Sequence, residues 1–217
     1  MLKRMICVVG YLAMLAIVGC ADEKVSLVKE TKNGKEILVL QKDITELRFS
    51  KPDYVQQLDG LGQLVNLRRV VFDMTAFVKN FDFLTQNANI EEVVLVAVSI
   101  PDFDFLKGLP NLKSLVIRSA RLGKTEIDLH DNKRIQYLEI TYSNLYVFPR
   151  IDNIPDTLDY INLSHNHIEH IPATYGFRNA AILLFRNPIT SSEIPNAVFG
   201  DPRKILPDHF KVSDVSS

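Results

Sequence analysis

Four apolar positions recur through most of this chain every 21 to 23 residues, and that period constrains the fold more than any other feature of the sequence. Position 1 falls at Ile44, Leu67, Ile90, Leu112, Ile135, Leu158 and Asn179. Position 4 is then Leu47, Val70, Val93, Leu115, Leu138, Ile161 and Ile182, and position 6 is Phe49, Phe72, Leu95, Ile117, Ile140, Leu163 and Leu184. Position 11 reads Tyr54, Phe77, Ile100, Leu122, Leu145, Ile168 and Ile189. Of these 28 places, 27 are apolar in a chain that is 47% apolar, so the recurrence is far above what composition supplies.

Positions 4 and 6 lie two residues apart, which puts both side chains on one face of a strand. One such strand per repeat, stacked in parallel, merges the two columns into a continuous core. A single repeat cannot stand alone. Ordering its 22 or so residues costs roughly 1 to 2 kcal/mol each, while its few buried apolar side chains return only about 1.5 to 3 kcal/mol apiece. Neighbours must share the core, as repeat proteins do. The connections between strands are rich in phenylalanine at Phe81, Phe83, Phe103, Phe105 and Phe148, and these read as a packed spine on the convex side. Pro149 and Pro172 favour extended or short 3-10 connections over regular helices.

Before the repeats, Lys3 and Arg4 precede the thirteen-residue apolar run Ile6–Val18, too short to span a bilayer comfortably but right for a secretory signal at 1–19. The run ends in Ile17-Val18-Gly19-Cys20, which resembles the lipobox of bacterial lipoproteins. That resemblance implies diacylglyceryl transfer to Cys20, which becomes the first mature residue, with 20–23 as a short tether. Cys7 leaves with the signal, so the mature chain has no thiol pair to oxidise and depends on core packing for stability. Two or three acyl chains exceed the threshold at which a single chain binds only marginally. The same resemblance points to the outer membrane, because Ala21 rather than an aspartate follows the cysteine.

Residues 24–42 read as a β-hairpin that caps the N-terminal end of the core: Lys24–Glu30 and Glu36–Leu40 flank Asn33-Gly34, a pair suited to the two positive-φ places of a tight turn. The repeats occupy 43–190. In 191–217 the frame is lost, and Ile194, Phe199, Ile205, Leu206 and Phe210 between prolines suggest an irregular C-terminal cap followed by a polar tail.

From Leu158 the chain reads Leu158, Ile161, Leu163, Asn166, Ile168, the pattern L-x-x-L-x-L-x-x-N-x-L of a leucine-rich repeat. With the lipobox and the hairpin, this resembles bacterial leucine-rich repeat lipoproteins, with a repeat length closest to the internalin-like group. The resemblance implies an α/β-class solenoid of about seven repeats, a parallel concave β-sheet and a mostly irregular or 3-10 convex side. It also implies that Asn166 and Asn187, at position 9, form an asparagine ladder that bonds backbone across neighbouring repeats. The earlier repeats have Pro52, Thr75, Val98, Ala120 and Ser143 there, which puts their regular curvature in question. Family members generally bind another macromolecule on the concave face.

Positions 3, 5 and 7 face out from that sheet if 4 and 6 face in. They bring Val71, Val94, Val96 and Val116 together as an expected exposed apolar patch, flanked by Asp73, Arg118, Tyr137 and Tyr160. Apolar centres with tyrosine and arginine nearby are what interfaces use. The expected partner is a protein, with a glycan as the alternative. The expected roles are an envelope-facing interaction module or, alternatively, a surface adhesin that contacts a host.

Other chemistries find little in the sequence. His165, His167 and His170 cluster at a strand-to-loop turn, but no cysteine or carboxylate completes a metal set. No G-x-S-x-G, phosphate loop or mature Cys–His pair is present, so no catalytic residue is assigned. Without Lys3 and Arg4 the chain carries 23 basic against 26 acidic side chains and no dense basic run, which argues against nucleic acid.

Overall fold

The computed structural model describes residues 23–51, 55–74, 78–151, 158–171, 180–189 and 197–198. The signal segment, Cys20, the frame positions Tyr54, Phe77 and Asn179, the position-9 residues Pro52 and Thr75, Pro172, and nearly all of 191–217 lie outside them.

Seven strands obey the frame, and each begins at position 3. They are β3 (Glu46–Ser50), β5 (Arg69–Asp73), β6 (Glu92–Val96), β7 (Ser114–Arg118), β8 (Tyr137–Thr141), β9 (Tyr160–Asn162) and β10 (Ala181–Leu183). They pair in parallel in strict chain order, and the pairing aligns equal frame positions: Leu47 lies beside Val70, Val70 beside Val93, Val93 beside Leu115. Register is therefore set by the inward columns, because a slip of one residue would turn every position-4 and position-6 side chain to the wrong face. A last short strand, β11 (Ala197–Val198), adds to β10. The architecture is a leucine-rich repeat solenoid.

The inward columns form one hydrophobic cluster that runs the length of the stack. On the convex side, 3-10 turns at Leu61–Gln63, Asp82–Gln86 and Asp104–Gly108 connect the earlier strands. Phe81, Phe83, Phe103 and Phe105 fill the wedge behind them, with ring centroids 5.5 to 6.1 Å apart. The spine reaches the sheet where Phe72 meets Phe81 edge-on at 5.3 Å. Later connections are extended instead, and bridges at Gly123–Leu145 and Asp128–Arg150 tie successive repeats together.

The hairpin consists of β1 (Lys24–Thr31) and β2 (Gly34–Gln41), antiparallel over eight residue pairs. Its turn differs from the sequence expectation. Thr31 pairs with Gly34, so the loop is Lys32-Asn33, and only Gly34 has positive φ, at 122°. The Thr31 side chain accounts for the shift: its Oγ accepts from the Asn33 amide at 3.2 Å and donates to the Gly34 carbonyl at 3.1 Å, which holds the turn one residue earlier. Val25, Leu27 and Leu40 join the solenoid core, and β4 (Gln57–Asp59), from the first convex connection, pairs with β1.

Strand pairing is longest in the N-terminal half. Five residues pair at every junction from β3 to β8, whereas only three pair between β8 and β9 and between β9 and β10. Val98 and Ala120 at position 9 do not interrupt the strand pairing on either side of them.

Candidate interaction surface on the concave face and its rim

The position-5 column is Arg48, Val71, Val94, Val116, Glu139, Asn162 and Leu183. Three of its valines correct the sequence reading. Val71, Val94 and Val116 have no solvent exposure, and Tyr137 and Tyr160 are also buried. Together with Leu183 they pack as a second hydrophobic cluster on the concave side, with Val96 partly buried against it. Valine is short, and parallel stacking gives each one a like neighbour in its own column. The position-3 row beside them carries longer side chains bound to each other. The concave centre is thus a closed apolar floor rather than an open patch.

One flank of that floor is an ion-pair row along position 3. The Arg69 guanidinium lies 2.8 Å from Glu46 and 3.0 Å from Glu92, one strand to each side. Burial opposes its charge, but Glu92 and Glu46 together outweigh that and raise its pKa. Arg48 lies 3.4 Å from Glu46.

Next to Val116 in the same column is a buried network centred on Glu139. Arg118 donates to both carboxylate oxygens, Nε at 2.6 Å and Nη2 at 3.0 Å. The Tyr137 hydroxyl donates at 2.7 Å and the Thr141 hydroxyl at 3.2 Å. The bond to Glu139 is the main reason that the Arg118 pKa is raised. Tyr137 stacks on Tyr160 with centroids 4.8 Å apart. Burial, reinforced by the Glu139 charge, pushes the Tyr160 phenol up to about 12 and the Tyr137 phenol higher still. Of the expected site residues, Asp73, Val96 and Arg118 remain partly exposed; the rest form the floor.

Asn166 and Asn187 hold the positions the ladder requires. Asn166 Nδ2 donates to Ile140 and Leu163 carbonyls at 2.7 and 3.0 Å, and its Oδ1 accepts from the Ser143 and Leu145 amides. Asn187 repeats the pattern one turn later, donating to Leu163 and Leu184 and accepting from Ile168. Ser143 substitutes in part, with its Oγ accepting from the Ala120 amide at 3.2 Å.

Sequence reasoning missed a second ladder on the convex side. Asn87 Nδ2 donates to the Leu61 and Leu64 carbonyls at 3.1 and 2.8 Å, and Asn132 does the same to Leu106 and Leu109 at 3.0 Å each. Both asparagines lie three residues before a position 1 and alternate there with Leu64 and Leu109. Comparison across two repeats, rather than one, was the available signal.

It also missed position 8. Met74, Ala97, Ser119, Tyr142, His165 and Arg186 all adopt left-handed backbone, with φ between 50° and 60°. None is glycine or asparagine, so local propensity gives no hint of it. Main-chain bonds compensate: the amides of Met74, Ala97, Ser119 and His165 donate to the position-7 carbonyl of the next repeat at 2.7 to 3.0 Å. This bend follows directly on β5, β6, β7 and β8 and lies at the carboxyl edge of the sheet.

In the last three repeats that edge carries aromatic rings. Tyr142 stacks on His165 with centroids 4.0 Å apart, and its hydroxyl lies 3.0 Å from His165 Nε2. Phe185 meets His165 edge-on at 5.4 Å and lies under the Arg186 guanidinium. Partial burial and the Arg186 charge hold the His165 imidazole below its ordinary pKa. Beside this row, Tyr146 stacks on His167 at 5.0 Å, above an open groove of about 680 Å³ with Phe148 and Ile171 in its wall and Lys124 and Glu169 at its border. Two of the three histidines are therefore stacked on tyrosines rather than simply solvated. No group of three or more potential metal ligands converges among the described residues.

The stacked parallel sheet and frame-aligned register define the leucine-rich repeat class. Among solved structures, the chain is similar to an internalin (inlF) from Listeria monocytogenes, at 20% identity and a TM-score of 0.52, over 70% of this chain and 52% of that one. An internalin C2 (inlC2) of the same organism is 18% identical with a TM-score of 0.49, over 74% of this chain and 82% of that one. The chain thus spans about half the length of the first, and the likeness is one of fold. No family model and no curated protein matches.

Proposed function

We propose that this protein is a lipid-anchored interaction module of a bacterial envelope whose protein partner engages the carboxyl edge of the concave sheet. The observation that carries the reading is the exposed row Tyr142, His165 and Phe185: Tyr142 is 60% and Phe185 36% exposed, although both rings are already packed in place. Aromatic side chains that are exposed yet ordered lose little entropy on binding, which is why they dominate interface energetics. Asp73 and Arg118, partly exposed at position 7 of earlier strands on the same edge, add polar groups beside the row, with partly exposed Val96 between them. No helix among the described residues is long and apolar enough to cross a membrane, so attachment in this reading falls to the acyl chains on Cys20.

The test places a photo-crosslinking residue at Tyr142 and, separately, at Val65 on the opposite side, in cells that process the full chain. A partner captured from position 142 but not from 65, and lost on His165→Ala with the fold intact, supports the assignment. Equal capture from both positions removes it. A second reading, glycan binding, is favoured by the groove beside Tyr146 and His167; capture of envelope glycan that depends on Tyr146 would select it.

A further inference from the structure

The hairpin carries a surface that the repeats leave uncovered. Its inward side chains, Val25, Leu27 and Leu40, enter the core, and inward-facing Lys29 pairs with Glu36 at 2.9 Å. Its outward face, by contrast, sets Val28 opposite Ile37 and Ser26 opposite Val39. Ile37 is 71% and Val39 60% exposed, the most exposed aliphatic side chains among the described residues. Lys24 and Lys35 lie on the same outward face at its two ends, and Glu30, also on it, lies 3.6 Å from Lys79. Asp59 of β4 borders Val28 from the far side, so the apolar part of the face belongs to the β2 half.

Chain length decides what can reach this face. The Lys42 amide bonds the Glu23 carbonyl at 2.8 Å, which fixes the point where the chain leaves the hairpin. Cys20 is three residues earlier in the sequence, a span of at most about 11 Å when fully extended. Acylated at that residue, the open end of the hairpin lies at the headgroups. We propose that the outward face of β2 rests on the bilayer that holds the Cys20 lipid, with Ile37 and Val39 entering the headgroup–acyl boundary and Lys24 and Lys35 reaching phosphate. The inference rests on the lipidation of Cys20.

Two aliphatic side chains without an aromatic anchor or a pocket are too small a patch for a stable protein interface, which buries about 800 Å² per partner. A bilayer needs no shape complementarity, and long lysine stems extend to headgroups while their methylenes stay apolar. A short tether supplies a high effective concentration, so a contact too weak to recruit free protein persists once the anchor is in place.

The experiment uses the mature lipidated protein in vesicles of phosphatidylethanolamine and phosphatidylglycerol. Val39→Cys and Tyr142→Cys variants each carry one environment-sensitive fluorophore, because the Cys20 thiol is acylated. The label at 39 is expected to shift to shorter wavelength and to be about tenfold less accessible than the label at 142 to an aqueous quencher. Protein that sediments with vesicles while both labels stay equally aqueous overturns the docking and leaves the anchor intact. Protein that remains in the supernatant overturns the anchor, and the docking with it. A wavelength shift at 39 in lipid-free Cys20→Ser protein that grows with protein concentration overturns the proposal in favour of β2 pairing with a second copy.

Discussion

Arg118 and Glu139, on adjacent concave strands, form a two-bond pair at 2.6 and 3.0 Å in which the carboxylate is almost wholly removed from solvent and the guanidinium keeps a partly open side. Glu139 occupies the column that holds valine in the three preceding repeats, so the run of valines ends at a charge that accepts four bonds from three side chains.

Removal of only one partner from this pair is expected to be severe. Glu139→Ala strands the Arg118 charge and removes the carboxylate that accepts from the Tyr137 hydroxyl, at a cost of about 3 to 5 kcal/mol. The double substitution Arg118→Met with Glu139→Val restores the valine column and is expected to cost less than Glu139→Ala alone. Urea unfolding of the wild type, Glu139→Ala and the double variant measures the difference; a double variant as unstable as the single would contradict it.

The buried phenols give a pH signature at the alkaline end. Tyr160 titrates near 12 in the folded chain and Tyr137 higher, both above the ordinary tyrosine value, so the native state holds these protons longer than the unfolded chain does. Their contribution is intact below the ordinary tyrosine range and declines as pH rises through the folded values. Stability is expected to fall steeply above about pH 10, and less steeply in Tyr160→Phe. Tyrosinate absorbance read alongside circular dichroism should show two of the seven tyrosines ionising only as the fold is lost.

Asn132 is the test of the convex ladder. Asn132→Ala leaves the Leu106 and Leu109 carbonyls without their side-chain donor in a buried site and is expected to cost about 2 kcal/mol. Asn111→Ala, which removes two exposed bonds, one donated to the Ala88 carbonyl and one accepted from Arg134, should change stability by less than about 0.5 kcal/mol. Thermal melts of the pair decide whether burial or bond number sets the cost.

Gly108 marks where consecutive convex turns approach most closely. A Cβ built there would lie 2.4 Å from Thr85 Cγ2. Gly108→Ala is expected to destabilise by about 1 to 3 kcal/mol, and Thr85→Ser in the same chain to recover part of the loss by removing that methyl group.

At position 8 the sign reverses. Ser119 holds φ 54° and is exposed, so Ser119→Gly relieves left-handed strain without removing a packed side chain. A gain of up to about 1 kcal/mol is expected in chemical denaturation, less the added freedom of glycine in the unfolded chain.

These residues also show where the sequence speaks and where it does not. Leu47, Val70, Val93 and Leu115 announce the solenoid because burial imposes a periodic demand, and the strands begin where that demand places them. Ser119 and His165 announce nothing, since their backbone is held by bonds to the next repeat and any residue able to tolerate it serves. Val71, Val94 and Val116 lie on the face that alternation assigns to them; what alternation could not supply was the height of their neighbours, which decides whether an outward valine is wet. The same limit applied to His165 and His167, whose stacking on Tyr142 and Tyr146 depends on residues 21 to 23 positions away in sequence.

The left-handed column has a consequence for how such a chain can change. At four of its six places its shape is written in amide-to-carbonyl bonds, so the side chains displayed there can be exchanged with no renegotiation of the core. Methionine, alanine, serine, tyrosine, histidine and arginine already occupy equivalent places on one backbone. The rim behaves as a line of movable type set in a fixed frame, and a new recognition text needs only new letters.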